Sequence, residues 1–331
     1  MAYSLESMEG TTSIITGGLG FFGSNLAHKL VALGSNVEIF DVCLEPFGWN
    51  FNNIKEIKDK VKYVNADIRD FETLKKEVAG KDFVFHLAAH PGHAASITNP
   101  HLDIDVNCDG TINVLEACRI AADNAKVIFP SSRGVTGKSM YLPVDENHPA
   151  NPLDIYGANK LACEKYMQIY HYIHGLKTSS IRITNPYGPR QSVKTAGRGA
   201  VTWFIRCALE NKPLTIWGDG KQLRDYAYVE DIVDALILAA QKKQSEGELF
   251  QLGTEQRMQF VEMAKTIVRL VGKGEVTFHP WPELNKSIEI GDFVGSYQKL
   301  KKVLGWEPKT SFEEGIKKTI EFYKQRLPEY I

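Results

Sequence analysis

The chain has 331 residues, 43% of them hydrophobic, which is enough to bury the core of one large domain or of two closely joined domains. Its formal net charge is -1 with both signs interspersed, which excludes the broad positive field that non-specific nucleic-acid binding requires. No apolar run approaches the roughly 20 residues that span a bilayer, and residues 1–10 lack the pattern of a signal peptide. The five cysteines form no CxxC pair and favour a reducing, cytoplasmic setting.

The first half of the chain alternates short apolar runs rich in β-branched residues with longer segments of helical spacing. This alternation is typical of a parallel sheet that is covered by helices on both faces. Strands are predicted at residues 13–16, 37–41, 61–65, 83–87, 126–130 and 179–183, and helices at residues 22–33, 71–77, 107–122 and 156–174. The predicted fold class is therefore α/β, a Rossmann-type doubly wound parallel sheet.

The pattern loosens from Asn185 onward, where proline and glycine interrupt the apolar runs, and helices return near Val229 and Phe260. We expect this half to form a smaller α/β substrate-binding lobe, joined to the first domain without a flexible linker. The chain should cross back to the first domain around residues 229–253. The predicted domains are a Rossmann domain of residues 1–184 plus 226–255 and a smaller lobe of residues 185–225 plus 256–331.

Glycines at positions 17, 20 and 23 lie between the first predicted strand and the first predicted helix. Glycine permits the unusual φ of such a turn, lets the backbone approach a pyrophosphate and lets the helix pack tightly, while the helix N-terminus receives the phosphate charge. An ordinary tight turn is the alternative, because a three-glycine match alone is weak. Asp41 ends the second strand, where a carboxylate can bind the ribose hydroxyls of the cofactor and would repel a 2′-phosphate. The residue therefore favours NAD over NADP, with an aspartate that only caps a loop as the alternative.

Three sequence runs extend this pattern: DIRD beginning at Asp67, HLAAHPG beginning at His86 and VNCDGTINVLEAC beginning at Val106. With the glycine spacing, they resemble the adenine-side, nicotinamide-side and central-helix segments of the extended short-chain dehydrogenases/reductases, the NAD-dependent epimerase/dehydratase family. The resemblance implies NAD as the cofactor and a bracing role for Asn107. The cofactor-binding residues that the pattern and the resemblance imply are Gly17, Gly20, Phe21, Phe22, Gly23, Asp41, Asp67, Ile68, Leu87, Ala88, Ala89, Asn107, Ser131, Tyr156 and Lys160.

A serine pair and a YxxxK motif carry the predicted chemistry. Ser131 and Ser132 follow the fifth strand, and Tyr156 and Lys160 lie four residues apart on one face of a predicted helix. The lysine and the positive nicotinamide ring can lower the pKa of the phenol from about 10, so that Tyr156 acts as a base. Ser132 would share a hydrogen bond with the reacting hydroxyl. An amphipathic surface pair is the alternative, but the arrangement matches the family, and the predicted catalytic residues are Ser132, Tyr156 and Lys160.

The loop after Ser132 departs from the family. Thr136 stands where relatives usually carry a tyrosine. The 4,6-dehydratases of the family carry an Asp-Glu pair directly after the serine or threonine, and its decarboxylases carry a glutamate in the same loop. Here those positions hold Arg133 and Gly134. Compared with the family, the loop therefore lacks the acidic residues of the dehydratases and the decarboxylases. The activity that the resemblance still implies is reversible oxidation and re-reduction at one carbon of the sugar.

The second half resembles the segments with which the family binds a nucleotide sugar. Asn185 matches an asparagine that contacts the diphosphate, and Arg224 matches a diphosphate-binding arginine, whose planar donors suit two oxygens. A surface arginine is the alternative for Arg224. His90 and His93 are interpreted as residues that line the nicotinamide site, with a plain loop role as the alternative, and no metal site is predicted. The predicted substrate-binding residues are His90, Ser132, Asn185, Val201, Thr215, Ile216, Arg224 and Asp292.

One expected cation is missing from this lobe. Epimerases of the family usually place a second diphosphate-binding arginine just before the Gly-Asp pair that ends at Asp292, and this chain has Ile288-Glu289-Ile290 there. Either another cation, such as Lys286 or Arg198, takes over, or the nucleotide differs from the usual one.

The hypothesis for function follows from the resemblance, which is nearest to nucleotide-sugar epimerases of the UDP-glucose 4-epimerase type. It implies an NAD-dependent isomerase of carbohydrate metabolism that inverts C4 of a UDP-hexose through a transient 4-keto intermediate. A nucleotide-sugar dehydratase or oxidoreductase with an atypical loop is one alternative, and a non-catalytic NAD-binding scaffold or sensor is another. In relatives the helices that begin at Asn107 and Tyr156 pair across a two-fold axis, so a homodimer is expected. No nucleic-acid or membrane partner is expected, and the expected location is the cytoplasm.

Overall fold

The structure, a computed structural model, describes residues 3–44, 48–122 and 124–331. The strands of the first half are β1 (Thr12–Thr16), β2 (Asn36–Phe40), β3 (Val61–Val64), β4 (Phe83–His86), β5 (Lys126–Ser132) and β6 (Lys177–Ile183). The helices of this half are α1 (Phe21–Ala32), α2 (Phe71–Val78), α3 (His93–Thr98), α4 (Pro100–Ile104), α5 (Gly110–Ala121) and α6 (Ile155–His174). The six strands predicted from the sequence are thereby confirmed.

The second half adds short strands and further helices. Its strands are β7 (Asn185–Tyr187), β8 (Leu214–Trp217), β9 (Leu223–Arg224), β10 (Tyr226–Tyr228), β11 (Glu248–Leu252), β12 (Met258–Gln259) and β13 (Val276–His279). Its helices are α7 (Ala200–Leu209), α8 (Val229–Gln241), α9 (Phe260–Val271), α10 (Glu283–Ser287), α11 (Gln298–Leu304) and α12 (Phe312–Arg326). None of the helices in the described ranges is both long and apolar enough to cross a membrane.

One seven-stranded sheet organises the first domain, in the order β11-β6-β5-β4-β1-β2-β3, and its neighbouring strands are all parallel. The chain starts at β1, moves outward to β3 and then returns to β4 on the other side of β1. In open α/β sheets a ligand crevice lies at such a reversal, outside the carboxyl ends of the strands. The doubly wound fold is confirmed, and its switch point lies between β1 and β4.

The helix predicted at residues 107–122 is divided in the structure. Asp105–Asp109 forms a π-helical turn, and the α-helix begins only at Gly110. Within this turn the backbone carbonyl of Asn107 is accessible to side chains. It accepts hydrogen bonds from Thr111 Oγ1 at 2.5 Å and from Cys163 Sγ at 3.0 Å. Such single π turns recur at functional sites, and this one brings Asn107 toward the loop after β4.

Helix α6 starts where the catalytic motif requires it to start. Asp154 caps the helix by accepting a hydrogen bond from Gly157 N at 2.7 Å, and Gly175 ends it with a left-handed φ of 68°. Tyr156 therefore lies in the first turn, and Lys160 lies about one turn further along the same face.

Separate hydrophobic cores support the predicted division into two lobes. Two clusters pack on the two faces of the large sheet, and a third joins α7, α9 and α12 in the smaller lobe. Helix α11 differs from the prediction, since Leu300 and Leu304 join the first core and Trp306 donates from Nε1 to Asp231 O at 2.9 Å. By its packing, the segment around α11 belongs to the Rossmann domain rather than to the smaller lobe.

Candidate active site

The glycine loop after β1 is fixed by backbone contacts that allow no side chain. Gly17 has a φ of +70°, and a Cβ built there would lie 2.8 Å from the Cα of Ala88 at the end of β4. A Cβ on Gly23 would lie 2.6 Å from the Cα of Gly18 and would also overlap Gly17 O. The loop is therefore pressed against both the sheet and the start of α1, as the sequence predicted.

The amino end of α1 suits a phosphate. Gly20 occupies the N-cap position without a side-chain acceptor, and the first helical turn, which includes Phe21 and Phe22, contains no acidic residue. The first amides of the helix thus have no side-chain partner from the cap, and they lie at the positive end of the helix dipole. These residues fit the pyrophosphate of a dinucleotide.

Asp41 directly follows β2 and touches the glycine loop. Its carboxylate accepts hydrogen bonds from Leu19 N at 3.0 Å and from Cys43 N at 3.1 Å. Burial raises the pKa of Asp41, and the backbone hydrogen bonds from Cys43 and Leu19 counteract part of that rise. A carboxylate oxygen accepts more than one hydrogen bond, so Asp41 can hold this loop and still bind the ribose hydroxyls.

Asp67, on the predicted adenine side, has a hydrogen-bond partner that was not predicted from the sequence. Asp67 accepts hydrogen bonds from Arg69 Nε at 3.0 Å and from Arg69 Nη2 at 2.6 Å. The carbonyl of Ile68 accepts a hydrogen bond from Asn113 Nδ2 at 3.1 Å. Any contact of Asp67 with the cofactor is therefore shared with Arg69, two residues away in the sequence.

The predicted nicotinamide wall follows β4. Leu87, Ala88 and Ala89 are partly buried, and Ala88 N donates a hydrogen bond to Thr16 Oγ1 at 3.1 Å. The end of β4 is thereby tied to the end of β1, at the switch point of the sheet.

The structure brings the three predicted catalytic residues together. Lys160 Nζ lies 5.9 Å from the centroid of the Tyr156 ring and 4.4 Å from that of Phe129, and it donates to Pro130 O at 3.3 Å. Ser132 ends β5, its Oγ accepts a hydrogen bond from Gly134 N at 3.1 Å, and its hydroxyl stabilises the Tyr156 phenolate. The YxxxK pair is thus part of a buried cluster and not a surface pair.

The electrostatics of Tyr156 differ from the prediction. Burial raises its pKa above the ordinary value, the charges of Asp103 and Asp154 add to the rise, and the hydrogen bond from Ser132 offsets only a part. Burial also lowers the pKa of Lys160. The groups of the chain alone, Lys160 included, therefore do not lower the pKa of the phenol. A positive charge bound beside the phenol, such as that of a nicotinamide ring, would lower it.

A histidine-carboxylate pair adjoins Tyr156. His93 Nδ1 lies 2.5 Å from Asp154 Oδ2, and the His93 ring meets the Tyr156 ring edge-on with centroids 5.3 Å apart. The sequence had placed His93 near the nicotinamide without naming a partner. The position of Asp154, two residues before the tyrosine and at the cap of α6, was the available signal.

The side chain of His90, a predicted substrate-binding residue, is buried against an aspartate. It is only 6% exposed, and Nδ1 lies 2.8 Å from Asp103 Oδ2. Asn107 joins the same cluster, because its Oδ1 accepts from His90 N at 3.0 Å and its Nδ2 donates to Asp103 Oδ1 at 3.0 Å. His90 therefore holds the loop after β4 in place, and Asn107 braces that loop as the resemblance implied.

Ser131, a predicted cofactor-binding residue, has a partner within the protein. Its hydroxyl donates to Glu164 Oε1 at 2.6 Å, and Glu164 forms a buried ion pair with Arg182 at 2.8 Å. The Ser131 side chain therefore belongs to a buried polar network.

Arg224 lies in the smaller lobe with its guanidinium engaged by protein groups. It donates to Leu223 O at 2.9 Å and to Gly291 O at 2.5 Å, and it forms an ion pair with Glu289. Glu289 lies in the segment where the resemblance led us to expect a second arginine. Asp292 Oδ1 fixes the same segment by accepting from Leu223 N at 2.7 Å. The predicted diphosphate-binding arginine is thus neutralised within its own lobe.

Two predicted substrate contacts lie in the core of the smaller lobe. The side chains of Val201 and Ile216 are 3% and 0% exposed, whereas Thr215 is exposed on β8. Because neighbouring strand residues face opposite sides, Ile216 points inward where Thr215 points outward. Asn185 lies at the edge of this lobe, where Nδ2 donates to Asp225 O at 2.9 Å. Among the described residues no cluster of ligands for a metal ion is found, and no metal site was predicted.

The model of the GDP-mannose 4,6 dehydratase family matches residues 14–319 of the chain. The chain belongs to this family. A putative UDP-glucose 4-epimerase from Methanocaldococcus jannaschii is 37% identical over 317 residues, which cover 94% of this chain and 98% of the relative. A UDP-glucuronate 4-epimerase from Thermodesulfobacterium geofontis is 31% identical over 95% of this chain and 96% of its own length. The membership confirms the resemblance to extended short-chain dehydrogenases/reductases.

A solved structure of the same family shows how far the fold agrees. The UDP-glucose 4-epimerase from Thermus thermophilus, solved in complex with NAD, has a TM-score of 0.85 and 31% sequence identity to this chain. The similarity covers 95% of this chain and 99% of that protein, so it includes both the Rossmann domain and the smaller lobe.

Proposed function

We propose that the protein is an NAD-dependent nucleotide-sugar epimerase that inverts C4 of a UDP-linked hexose or of the corresponding uronic acid. The observation that carries this proposal is the cluster of Ser132, Tyr156 and Lys160 at the carboxyl end of β5, with no acidic residue directly after the serine. The two relatives described above are named as C4 epimerases of UDP-glucose and of UDP-glucuronate, and the structural neighbour was solved with NAD.

The residues of the chain divide the work between binding and proton transfer. Bound NAD supplies hydride chemistry, since the nicotinamide accepts a hydride from a carbon and can return it. The glycine loop and Asp41 would hold the pyrophosphate and the ribose, and Lys160 the nicotinamide ribose. Ser132 would hold the reacting hydroxyl while Tyr156, as phenolate, removes its proton. The same Tyr156 would return the proton after the keto sugar has turned within the site.

The loop after Ser132 favours epimerisation over dehydration for a structural reason. A Cβ on Gly134 would lie 2.8 Å from His93 Cε1, so an acidic side chain at this position would displace the histidine. Arg133 has a pKa that burial, with the charge of Arg224, lowers to about 10, and it stays protonated at neutral pH. Neither residue can protonate a leaving hydroxyl as an Asp-Glu pair does.

Product analysis tests the proposed function. The protein loaded with NAD is incubated with UDP-glucose, UDP-galactose, UDP-glucuronate and UDP-galacturonate, and the products are followed by proton NMR and by absorbance of the reduced cofactor. We expect interconversion of one pair of C4 epimers without accumulation of reduced cofactor. A deoxy-keto product would indicate a dehydratase, and stoichiometric reduced cofactor would indicate an oxidoreductase. Absence of any conversion by NAD-loaded protein would favour a scaffold.

A homodimer is the assembly that we propose. On the outer face of α6, Ile169, Tyr172 and Ile173 are 47%, 88% and 63% exposed, and Ile120 at the end of α5 is 49% exposed. Residues three and four apart share a helix face, and such an apolar strip is typical of helices that pair across a two-fold axis. Light scattering at micromolar concentration should give a dimer mass for the wild type and a monomer mass for a Tyr172→Asp/Ile173→Asp variant. A monomeric wild type would contradict the proposal.

The cysteines bear on the expected location. All five are free thiols, and Cys108, Cys118, Cys163 and Cys207 are buried. Free buried thiols are the ordinary state in a reducing compartment, which supports the proposal of a cytoplasmic protein.

A further inference from the structure

Arg133 follows Ser132 directly, and its guanidinium has an unusual environment. In the described part of the chain it forms no hydrogen bond or ion pair with a protein group, although the side chain is partly buried. Its Cζ lies 5.9 Å from the centroid of the Phe293 ring, in the segment that also contains Glu289. A guanidinium carries five donors, and leaving them unpaired in a partly buried site is unfavourable. These donors are available to an acceptor that the protein does not supply.

The carboxylates that face Arg133 are engaged elsewhere. Asp154 is bonded to His93, Asp225 accepts from Thr184 and from Thr254 N, and Glu289 is paired with Arg224. None of these carboxylates accepts a hydrogen bond from Arg133, because each is bound to another group. The guanidinium next to the catalytic serine therefore has donors that no carboxylate of the described residues binds.

The position of Arg133 indicates which part of a nucleotide sugar would reach it. It adjoins Ser132, which in the proposed function holds the reacting hydroxyl, and it contacts Phe293, which follows Gly291 and Asp292 in the segment bound to Leu223 and Arg224. The guanidinium thus lies between the catalytic serine and the segment that binds Arg224. A substituent at C6 is within reach of a side chain so placed, since C6 is attached to C5, the ring neighbour of C4.

We propose that Arg133 binds a carboxylate at C6, so that the preferred substrate is a nucleotide-linked uronic acid. This inference rests on the proposed function, because it assigns C4 to the Ser132–Tyr156 cluster. A planar guanidinium can bind both oxygens of a carboxylate. A neutral hexose presents a hydroxymethyl group there and leaves the guanidinium without a carboxylate acceptor. The diphosphate is the other anion in the same ligand, and the experiment separates the two.

Calorimetric titration of the NAD-loaded protein with UDP, UDP-glucose and UDP-glucuronate tests the inference without requiring turnover. We expect the wild type to bind UDP-glucuronate more tightly than UDP-glucose. Arg133→Gln should weaken UDP-glucuronate binding about 10- to 100-fold, as expected for losing a hydrogen bond to a charged group, and should leave UDP and UDP-glucose nearly unchanged. Arg133→Lys, which keeps the charge without the planar fork, should lie between the two.

Glu289→Gln serves as a matched control on the diphosphate side. It frees Arg224 from its ion pair and should strengthen the binding of all three ligands alike. Equal weakening of all three ligands by Arg133→Gln would assign Arg133 to the diphosphate and overturn the inference, as would unchanged binding of all three. Circular dichroism and the retained NAD content establish that each variant is folded.

The outcomes for the inference and for the proposed function are distinguishable. Uronate binding that depends on Arg133, without any epimerisation by the wild type, would refute the proposed function and leave the recognition intact. Rapid epimerisation of UDP-glucose that is indifferent to Arg133→Gln would refute the inference and leave the function intact.

Discussion

The nucleotide-binding half and the smaller lobe differ in what fixes their geometry. At the cofactor end, the geometry is determined by backbone segments that lie too close together to admit a side chain, as at Gly17 and Gly23. In the smaller lobe, the site depends on side chains that meet across long sequence separations, as Arg224 does with Glu289. The first kind of geometry restricts each position to one residue type. The second kind allows charges to be exchanged between positions, so the lobe can change its substrate while the cofactor end stays the same.

The largest effect is expected for Tyr156→Phe in the nucleotide-binding half, because this substitution keeps the aromatic ring of residue 156 but removes its ionisable oxygen. Turnover should fall roughly 100- to 10,000-fold, as is typical of losing a general base. Folding and NAD content should be unchanged, because packing is preserved. Tyr172→Phe on the same helix is the matched control, since that side chain is 88% exposed. Near wild-type turnover by folded, NAD-loaded Tyr156→Phe protein would show that another group is the base.

The cofactor preference should depend on Asp41. We expect calorimetric titration of cofactor-free protein to show at least about a tenfold preference for NAD over NADP, because one unfavourable charge contact costs roughly 1.4 kcal/mol or more at such a site. Asp41→Asn removes the charge but keeps an acceptor for Leu19 N, and it should reduce that preference. Equal affinities of the wild type for both cofactors would remove Asp41 from its assigned role.

An effect on stability, with a smaller effect on turnover than that of Tyr156→Phe, is expected for Gly23→Ala, which tests whether backbone approach fixes the cofactor end. The added Cβ would lie 2.6 Å from Gly18 Cα, and backbone must move to accept it. We expect the free energy of unfolding to fall by roughly 1–3 kcal/mol, as for other overpacked sites, together with weaker NAD binding. Gly197→Ala is the control, because its Cβ would meet nothing closer than Thr195 Oγ1 at 3.9 Å. Equal free energies of unfolding for the two variants, measured by chemical denaturation, would contradict this prediction.

The sequence was sufficient for the parts of the fold that repeat a simple period. The strand and helix alternation predicted the parallel, doubly wound sheet, and the cap at Asp154 places Tyr156 in the first turn of α6. The π-helical turn at Asp105–Asp109 was not predicted, because the shift that its extra residue causes in the apolar pattern spans too few residues to be recognised.

The side-chain partners in the site could not be predicted, for a common physical reason. Nothing in the local sequence distinguishes His90, which is buried against Asp103, from His93, which meets Tyr156, because their partners lie 13 and 61 residues away. The inward position of Ile216 likewise depends on which face of β8 packs on the lobe. The pairing of Arg224 with Glu289 required two segments 65 residues apart to be brought together.

The central claim is that a hydride leaves C4 of the sugar and returns to the same carbon. Deuterium placed at C4 of the nucleotide sugar that the protein converts tests it most directly, with the product examined by proton NMR. We predict that the epimer retains the deuterium at C4 and that no label passes to water, because the hydride stays on the bound cofactor between the two transfers. Deuterium lost to solvent, or found on another carbon of the product, would contradict this account.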